Sequence, residues 1–211
     1  MNFTWSGQSC GSTSRVFLHE SIHDEVLNKV VELLPQRHKP GIPTDPKTTM
    51  GSLVSRAQLE KVKSYVAKGI EDGGRLLCGG KRPDDPALKD GFFYEATVFA
   101  DMQPHMRLAQ EEVFGPVLSV FKWSDEEALW NQVNGVDFGL TGSIWTQNVN
   151  TAHRAARRIQ TGYVWMNNAS QHFMGAPFGG VKHSGLGREG SSHGMEEYVE
   201  MKYLCIGDVL R

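Results

Sequence analysis

Val117-Leu118-Ser119-Val120-Phe121-Lys122-Trp123 is a run of β-branched and aromatic residues that reads as a strand. Ser124 with Glu127 then forms a capping box for a helix running to Asn134-Gly135. The alternation repeats at once, with a strand over Gly142 to Thr146, a helix over Asn148 to Gln160 closed by Gly162, and a strand over Tyr163 to Asn167. Strands separated by helix-length segments imply crossovers and parallel pairing, with the sheet buried on both faces. The expected fold class is α/β, a largely parallel sheet flanked by helices.

The pattern extends in both directions. Upstream, Arg15 to Leu18 reads as a strand, and Ser21 with Asp24 caps a helix whose inner face is Ile22, Val26, Val30 and Leu33/Leu34, stopping at Pro35. His38 to Gly51 is a loop. Ser55 with Gln58 caps a second helix that turns Leu59, Val62, Val66 and Ile70 inward and ends at Gly73-Gly74. Arg75 to Cys78 and Phe92 to Phe99 are strand candidates. After Gly175 the chain is glycine-dense, and Met195 to Ile206 reads as a final strand.

Composition narrows the function classes. A length of 211 residues fits one large domain, or one with an appendage. With 39% hydrophobic and 22% charged residues, the chain is not of the disordered class. Lys+Arg 22 against Asp+Glu 24 leaves a net charge of -2, which offers no footprint for nucleic acid or an anionic membrane. No apolar run reaches the ~18 residues of a membrane span. Cys10, Cys78 and Cys205 form no C-x-x-C pair, and the eight histidines show no zinc-ligand spacing, so no metal is expected and a reducing cytoplasm is the expected setting.

Three segments could carry chemistry. In Gly7-Gln8-Ser9-Cys10-Gly11-Ser12 a free thiol sits in a loop whose amides could stabilise an oxyanion; the alternative is a small buried cysteine. In Gln110-Glu111-Glu112-Val113-Phe114-Gly115-Pro116 two carboxylates lead into a strand, where one could accept a ribose diol; a solvated acidic face is the alternative. Pro177 to Glu189 is a Gly-rich loop carrying Phe178, Lys182, Arg188 and Glu189, either an active-site loop or a plain surface one. Gly185-Leu186-Gly187-Arg188-Glu189-Gly190 matches G-x-G-x-x-G in letters alone, because it lacks the strand before it and the acidic residue ~20 positions later.

Together these segments resemble the aldehyde dehydrogenase superfamily. Phe3 to Arg15 looks like its cysteine signature, Gln110 to Val117 like its cofactor-contact segment, and Ala176 to Glu189 like its C-terminal glycine loop. Asn134 to Leu140 and Gly162 to Asn167 also match, in order, and the nearest resemblance is to the betaine-aldehyde-dehydrogenase-like branch.

The resemblance implies NAD or NADP as cofactor and a small-molecule aldehyde as substrate. It implies Cys10 as the nucleophile and its amide as an oxyanion donor, beside an asparagine outside these residues. Glu112 holds the nicotinamide ribose with Phe114 packed beside it, Phe178 lines the aldehyde tunnel, and Glu189 sits in a proton-relay region. Trp5, His172 and Phe173 lie near tunnel-shaping positions; core packing for Trp5 and a plain loop place for His172 are the alternatives. A catalytic domain over residues 1–194 and a helical turn with an oligomerisation strand over 195–211 are expected, joining copies into a homo-oligomer. The dinucleotide-binding half, with its general-base glutamate and relay lysine, is expected upstream, Met1 being either a true start or an internal methionine. The chain alone is then expected to be inactive. A stand-alone assembly module and a residual cysteine esterase are the other readings.

Overall fold

The computed structural model describes residues 2–207. The order of elements is β1 (Arg15–His19), α1 (Glu20–Arg37), α2 (Arg56–Glu71), β2 (Arg75–Cys78), β3 (Thr97–Ala100), α3 (Arg107–Gln110), β4 (Val117–Trp123) and α4 (Glu126–Asn134). It continues with β5 (Phe138–Gly139), β6 (Thr141–Ile144), α5 (Val149–Arg158), β7 (Tyr163–Met166), β8 (Val181–Lys182) and α6 (Ser192–Glu196).

The expected α/β class is observed. Four strands form the main sheet in the order β1-β4-β3-β2. β4 pairs in parallel with β1 (Arg15↔Ser119) and with β3 (Thr97↔Val117), while β2 runs antiparallel to β3. Alternate residues of the central strands face opposite sides. Phe99, Val117 and Phe121 join Leu59, Val62 and Val66 of α2 in one core. Val98, Ala100, Leu118 and Val120 join Leu27 and Leu34 of α1 in the other. Two covered faces explain why β4 reads as a nearly unbroken apolar run. The remaining strands form two small sheets, parallel β6–β7 and antiparallel β5–β8, instead of extending the first.

Several boundaries differ from expectation. The α1 N-cap is His19, whose Nδ1 accepts from the Ser21 amide at 3.2 Å, so Ser21 stands inside the helix. The buried face of α1 is His23, Leu27 and Leu34, while Ile22 and Leu33 are exposed. A buried histidine bonded to Asp24 (2.6 Å) thus shifts the inner stripe by one residue. Pro35 lies within the last turn of α1, and the helix closes past it through the His38 amide to the Leu34 carbonyl at 2.9 Å. The α4 cap is Asp125. In α2, Ser55 caps as expected, but Ile70 is exposed. Only Thr97–Ala100 of the strand expected over Phe92 to Phe99 forms. Residues 92–96 are a turn and irregular chain outside the ladder, although Phe93 and Tyr94 are buried.

The strand expected over Met195 to Ile206 is not formed. Met195 belongs to α6, residues 197–207 have no regular structure, and Tyr198, Met201, Tyr203 and Ile206 are exposed. Strand geometry needs a neighbouring ladder to satisfy its amides and carbonyls, and among the described residues this segment has none.

Candidate active site

The cysteine segment is a tight loop pinned to the core. Trp5, Ser6 and Gly7 have φ of 54°, 57° and 71°, successive left-handed residues that cost on the order of 1–3 kcal/mol for each non-glycine. The loop is held by long-range bonds. The Asn2 side-chain amide donates to the Val117 carbonyl (2.8 Å), the Ser6 hydroxyl to the Gly51 carbonyl (2.7 Å), and the Val54 amide to the Gln8 side chain (2.8 Å). Ser9 to Ser12 then form a turn, closed by the Ser12 amide on the Ser9 carbonyl at 3.1 Å. Cys10 is the exposed residue at its apex, free of any disulfide. Cys78 is half-buried, and burial pushes its thiol up; Cys205 is exposed in the segment after α6.

The loop base rests on the second segment. A Cβ on Gly7 would stand 2.0 Å from the Gly115 carbonyl oxygen, so only glycine permits this contact. Phe114 is itself left-handed, with φ of 55°. Gln58 of α2 holds it there, its amide donating to the carbonyls of Phe114 (2.7 Å) and Val113 (3.1 Å). The two neighbouring carboxylates have different surroundings. Glu111 accepts from Arg107 (2.9 Å) and from the Tyr65 hydroxyl (2.6 Å), and the Arg107 guanidinium first of all holds its carboxyl below the ordinary range. Glu112 is exposed and has no hydrogen bond or ion pair among the described residues.

The third segment forms the opposite wall. Phe178 and Glu189 face each other across a two-bond backbone bridge, Phe178 amide to Glu189 carbonyl at 2.9 Å and the reverse at 2.8 Å. Behind them Tyr163, Trp165, His172 and Phe178 pack ring against ring, with centroids 4.9 to 5.8 Å apart. Trp165 also donates to the Gln171 carbonyl (2.7 Å), fixing the residue before His172.

A cavity of about 690 Å³ lies between the first and third segments, with Trp5, Cys10, Tyr163, His172, Phe178 and Glu189 on its walls and Phe173 and Met174 exposed along it. Cys10, Trp5, His172, Phe173, Phe178 and Glu189, six of the eight residues to which the resemblance gave a role or a place near the tunnel, therefore line one space. Trp5 is 69% exposed, which excludes core packing. Glu112 and Phe114 are outside the lining and approach the nucleophile's loop through the Gly115–Gly7 contact. Sequence reasoning missed Tyr163, whose signal was its place at the start of a strand after Gly162, and Gln58, which read only as a cap. A second hollow of about 450 Å³, at Trp130, Asn134 and Arg158, is polar and holds no nucleophile.

Among the described residues no three His, Cys, Asp or Glu side chains converge as a metal site. The described helices include none long and apolar enough to cross a membrane.

Comparison with known proteins finds relatives both in sequence and in structure. A model of the aldehyde dehydrogenase family matches residues 1–204. The aldehyde dehydrogenase tropH of Talaromyces stipitatus is 51% identical over 209 residues, 98% of this chain and 41% of that protein. The betaine aldehyde dehydrogenase of Bacillus subtilis is 43% identical, over 96% of this chain and 41% of its own length. Among solved structures, a betaine aldehyde dehydrogenase from Staphylococcus aureus in complex with NAD+ superposes with a TM-score of 0.88 at 36% identity, over 92% of this chain and 39% of that one. The chain thus spans about two-fifths of the relatives it matches. Matched by the family model along nearly its whole length, it belongs to the aldehyde dehydrogenase family.

Proposed function

We propose that these residues form the nucleophile-bearing part of an NAD(P)-dependent aldehyde dehydrogenase that converts an aldehyde to a carboxylic acid. The observation that carries the reading is the exposed Cys10 apex facing the Phe178–Glu189 bridge across one cavity. The Cys10 sulfur adds to the carbonyl carbon and the thiol proton ends on the former carbonyl oxygen, giving a hemithioacetal. The Cys10 amide has no partner among the described residues and is placed to donate to that oxygen while it is negative. NAD or NADP, when bound, supplies the acceptor for the hydride lost by this carbon. Water then cleaves the Cys10 thioester, activated by a general-base glutamate outside these residues with Glu189 in the proton-relay region of the wall, and acid and free thiol are released.

The residues fit such a cofactor at one point. Glu112, unpaired beside a fully engaged Glu111, can accept both hydroxyls of the nicotinamide ribose, and the Phe114 ring at the rigid corner packs beside it. Phe178, His172 and Trp5 shape the aldehyde's path. The exposed Tyr198 to Ile206 segment pairs with a second copy, and a reducing cytoplasm keeps the thiols free.

The 211 residues alone, two-fifths of the matched length, give no sustained NAD-dependent turnover. Intact-mass spectrometry of the chain treated with an activated acyl ester tests the nucleophile: one acyl group on Cys10 is expected, lost in Cys10→Ala. An adduct that persists in that variant overturns the assignment, and steady NADH formation from the chain with an aldehyde panel overturns the claim of inactivity.

A further inference from the structure

The polar hollow at Trp130 has no nucleophilic side chain, yet its lining includes the one Asn-Gly pair of the sequence, Asn134-Gly135. Asn134 is the last residue of α4 and Gly135 its exposed C-cap. The cap amides of α1, α2 and α5 each close on a carbonyl, whereas the Gly135 amide has no partner among the described residues. A Cβ on Gly135 would stand 2.5 Å from the Asn131 carbonyl oxygen, so the only residue that fits here is also the one that leaves its nitrogen unshielded.

Two sets of contacts act on this pair in opposite directions. The Asn134 side chain is held, Nδ2 donating to the Arg158 carbonyl and Oδ1 accepting from the Gln160 amide, both at 2.9 Å. These bonds keep the carboxamide off the glycine nitrogen and fasten to α4 the chain that leaves α5 for Tyr163 and β7. On the other side of the same peptide, the Lys182 Nζ donates to the Asn134 carbonyl at 2.6 Å and to the Val136 carbonyl at 3.0 Å. When the Gly135 N–H loses its proton, amide resonance puts the negative charge on that Asn134 oxygen, and an ammonium against it favours the anion.

We propose that Asn134-Gly135 is a self-modification site at which Lys182 promotes deamidation. Solvent base takes the Gly135 N–H proton, the nitrogen attacks Cγ of Asn134, the Cγ–Nδ2 bond breaks, and ammonia leaves with a proton from water. Water then adds to either carbonyl of the succinimide and a ring C–N bond opens, giving an aspartyl or isoaspartyl residue; one water enters for each ammonia released. The new carboxylate has no N–H for the Arg158 carbonyl and meets it with lone pairs, so the joint between α4 and α5 does not close again. This chemistry is independent of the role of Cys10.

Ageing the 211-residue chain in mildly alkaline buffer, folded and in urea, tests the site. Conversion is followed by peptide mass spectrometry with the aspartyl and isoaspartyl products separated. In the folded chain Lys182→Met should slow conversion about fivefold, and Lys182→Arg should stay within about twofold of the parent. In urea all three chains should convert at one rate. The sign distinguishes a promoting cation from a mere tether, because loosening the joint frees the carboxamide and speeds conversion. In Asn134→Asp, amide hydrogen exchange over Ala155 to Tyr163 should quicken while exchange in α2 stays unchanged, which also checks the fold. A Lys182→Met chain that converts as fast as the parent or faster overturns the proposal, and so does a folded parent in which Asn134 stays intact. Unchanged exchange in Asn134→Asp overturns the opening of the joint.

Discussion

The chain up to Trp165 and the chain beyond it are held by different forces. Among the described residues, buried apolar side chains run from Phe3 to Trp165 and then stop, while Phe173, Met174, Leu186, Met195 and Tyr198 are all exposed. The first region is a sheet covered on both faces. The second is a set of backbone bridges: Phe178 with Glu189, the Gly175 amide on the Gly190 carbonyl at 3.1 Å, and Arg188 donating to the Gly180 and Gly187 carbonyls. The candidate site lies across the seam. The thiol is pinned to the rigid side, and the wall facing it belongs to the region of low local stability, where binding surfaces able to adapt are commonly found.

The contrast is broken most directly by truncating one large ring on each side. Phe99, 0% exposed and packed against Gly69 and Gly74 between α2 and the sheet, should cost about 3–5 kcal/mol as Phe99→Ala. Phe178→Ala, from a half-buried ring supported by the Tyr163 and His172 rings, should cost about 1 kcal/mol. Urea midpoints of the two variants decide it. Equal losses would mean that the glycine-rich wall is part of the core after all.

A second change strikes the seam itself. Gly7→Ala places a methyl at φ 71° and 2.0 Å from the Gly115 carbonyl, backbone against backbone. The loop must move off the Phe114 corner or strain against it, at about 2–3 kcal/mol. The thermal midpoint should fall, and Cys10 alkylation should change with it. A neutral Gly7→Ala would show that the nucleophile's loop and the carboxylate corner are not mechanically joined.

How far the sequence is legible follows the same division. The cap at Ser55, the apolar run of β4 and the order of helices and strands could be read because local propensity and burial agree there. The face of α1 was misread because His23 counts as polar until its bond to Asp24 is seen, and the terminal strand because a ladder depends on a partner that spacing does not specify. At the site, residue types pointed to Cys10, Phe178 and Glu189, but the joints did not show in them. That Gln58 would hold the Phe114 carbonyl, Gly7 abut Gly115, and Thr141 reach Gly11 are contacts between segments 50 to 130 residues apart. No local pattern encodes them.

The smallest effect concerns the half-buried thiol of β2. Burial pushes the Cys78 thiol above its ordinary value of 9.0, outweighing the opposing bond from the Val98 backbone. In the folded chain its alkylation should therefore rise with a midpoint above pH 9.0, and in urea that midpoint should move down toward the ordinary value. The sign for stability follows from linkage. The group favours the fold fully below its unfolded value, and the advantage is lost as pH rises through the higher folded one, since only then must the fold carry the buried thiolate. Cys78→Ala should remove that part of the alkaline loss. A Cys78 midpoint that does not change in urea would place its sulfur in solvent, and the edge of the main sheet would then be as open as the glycine-rich wall.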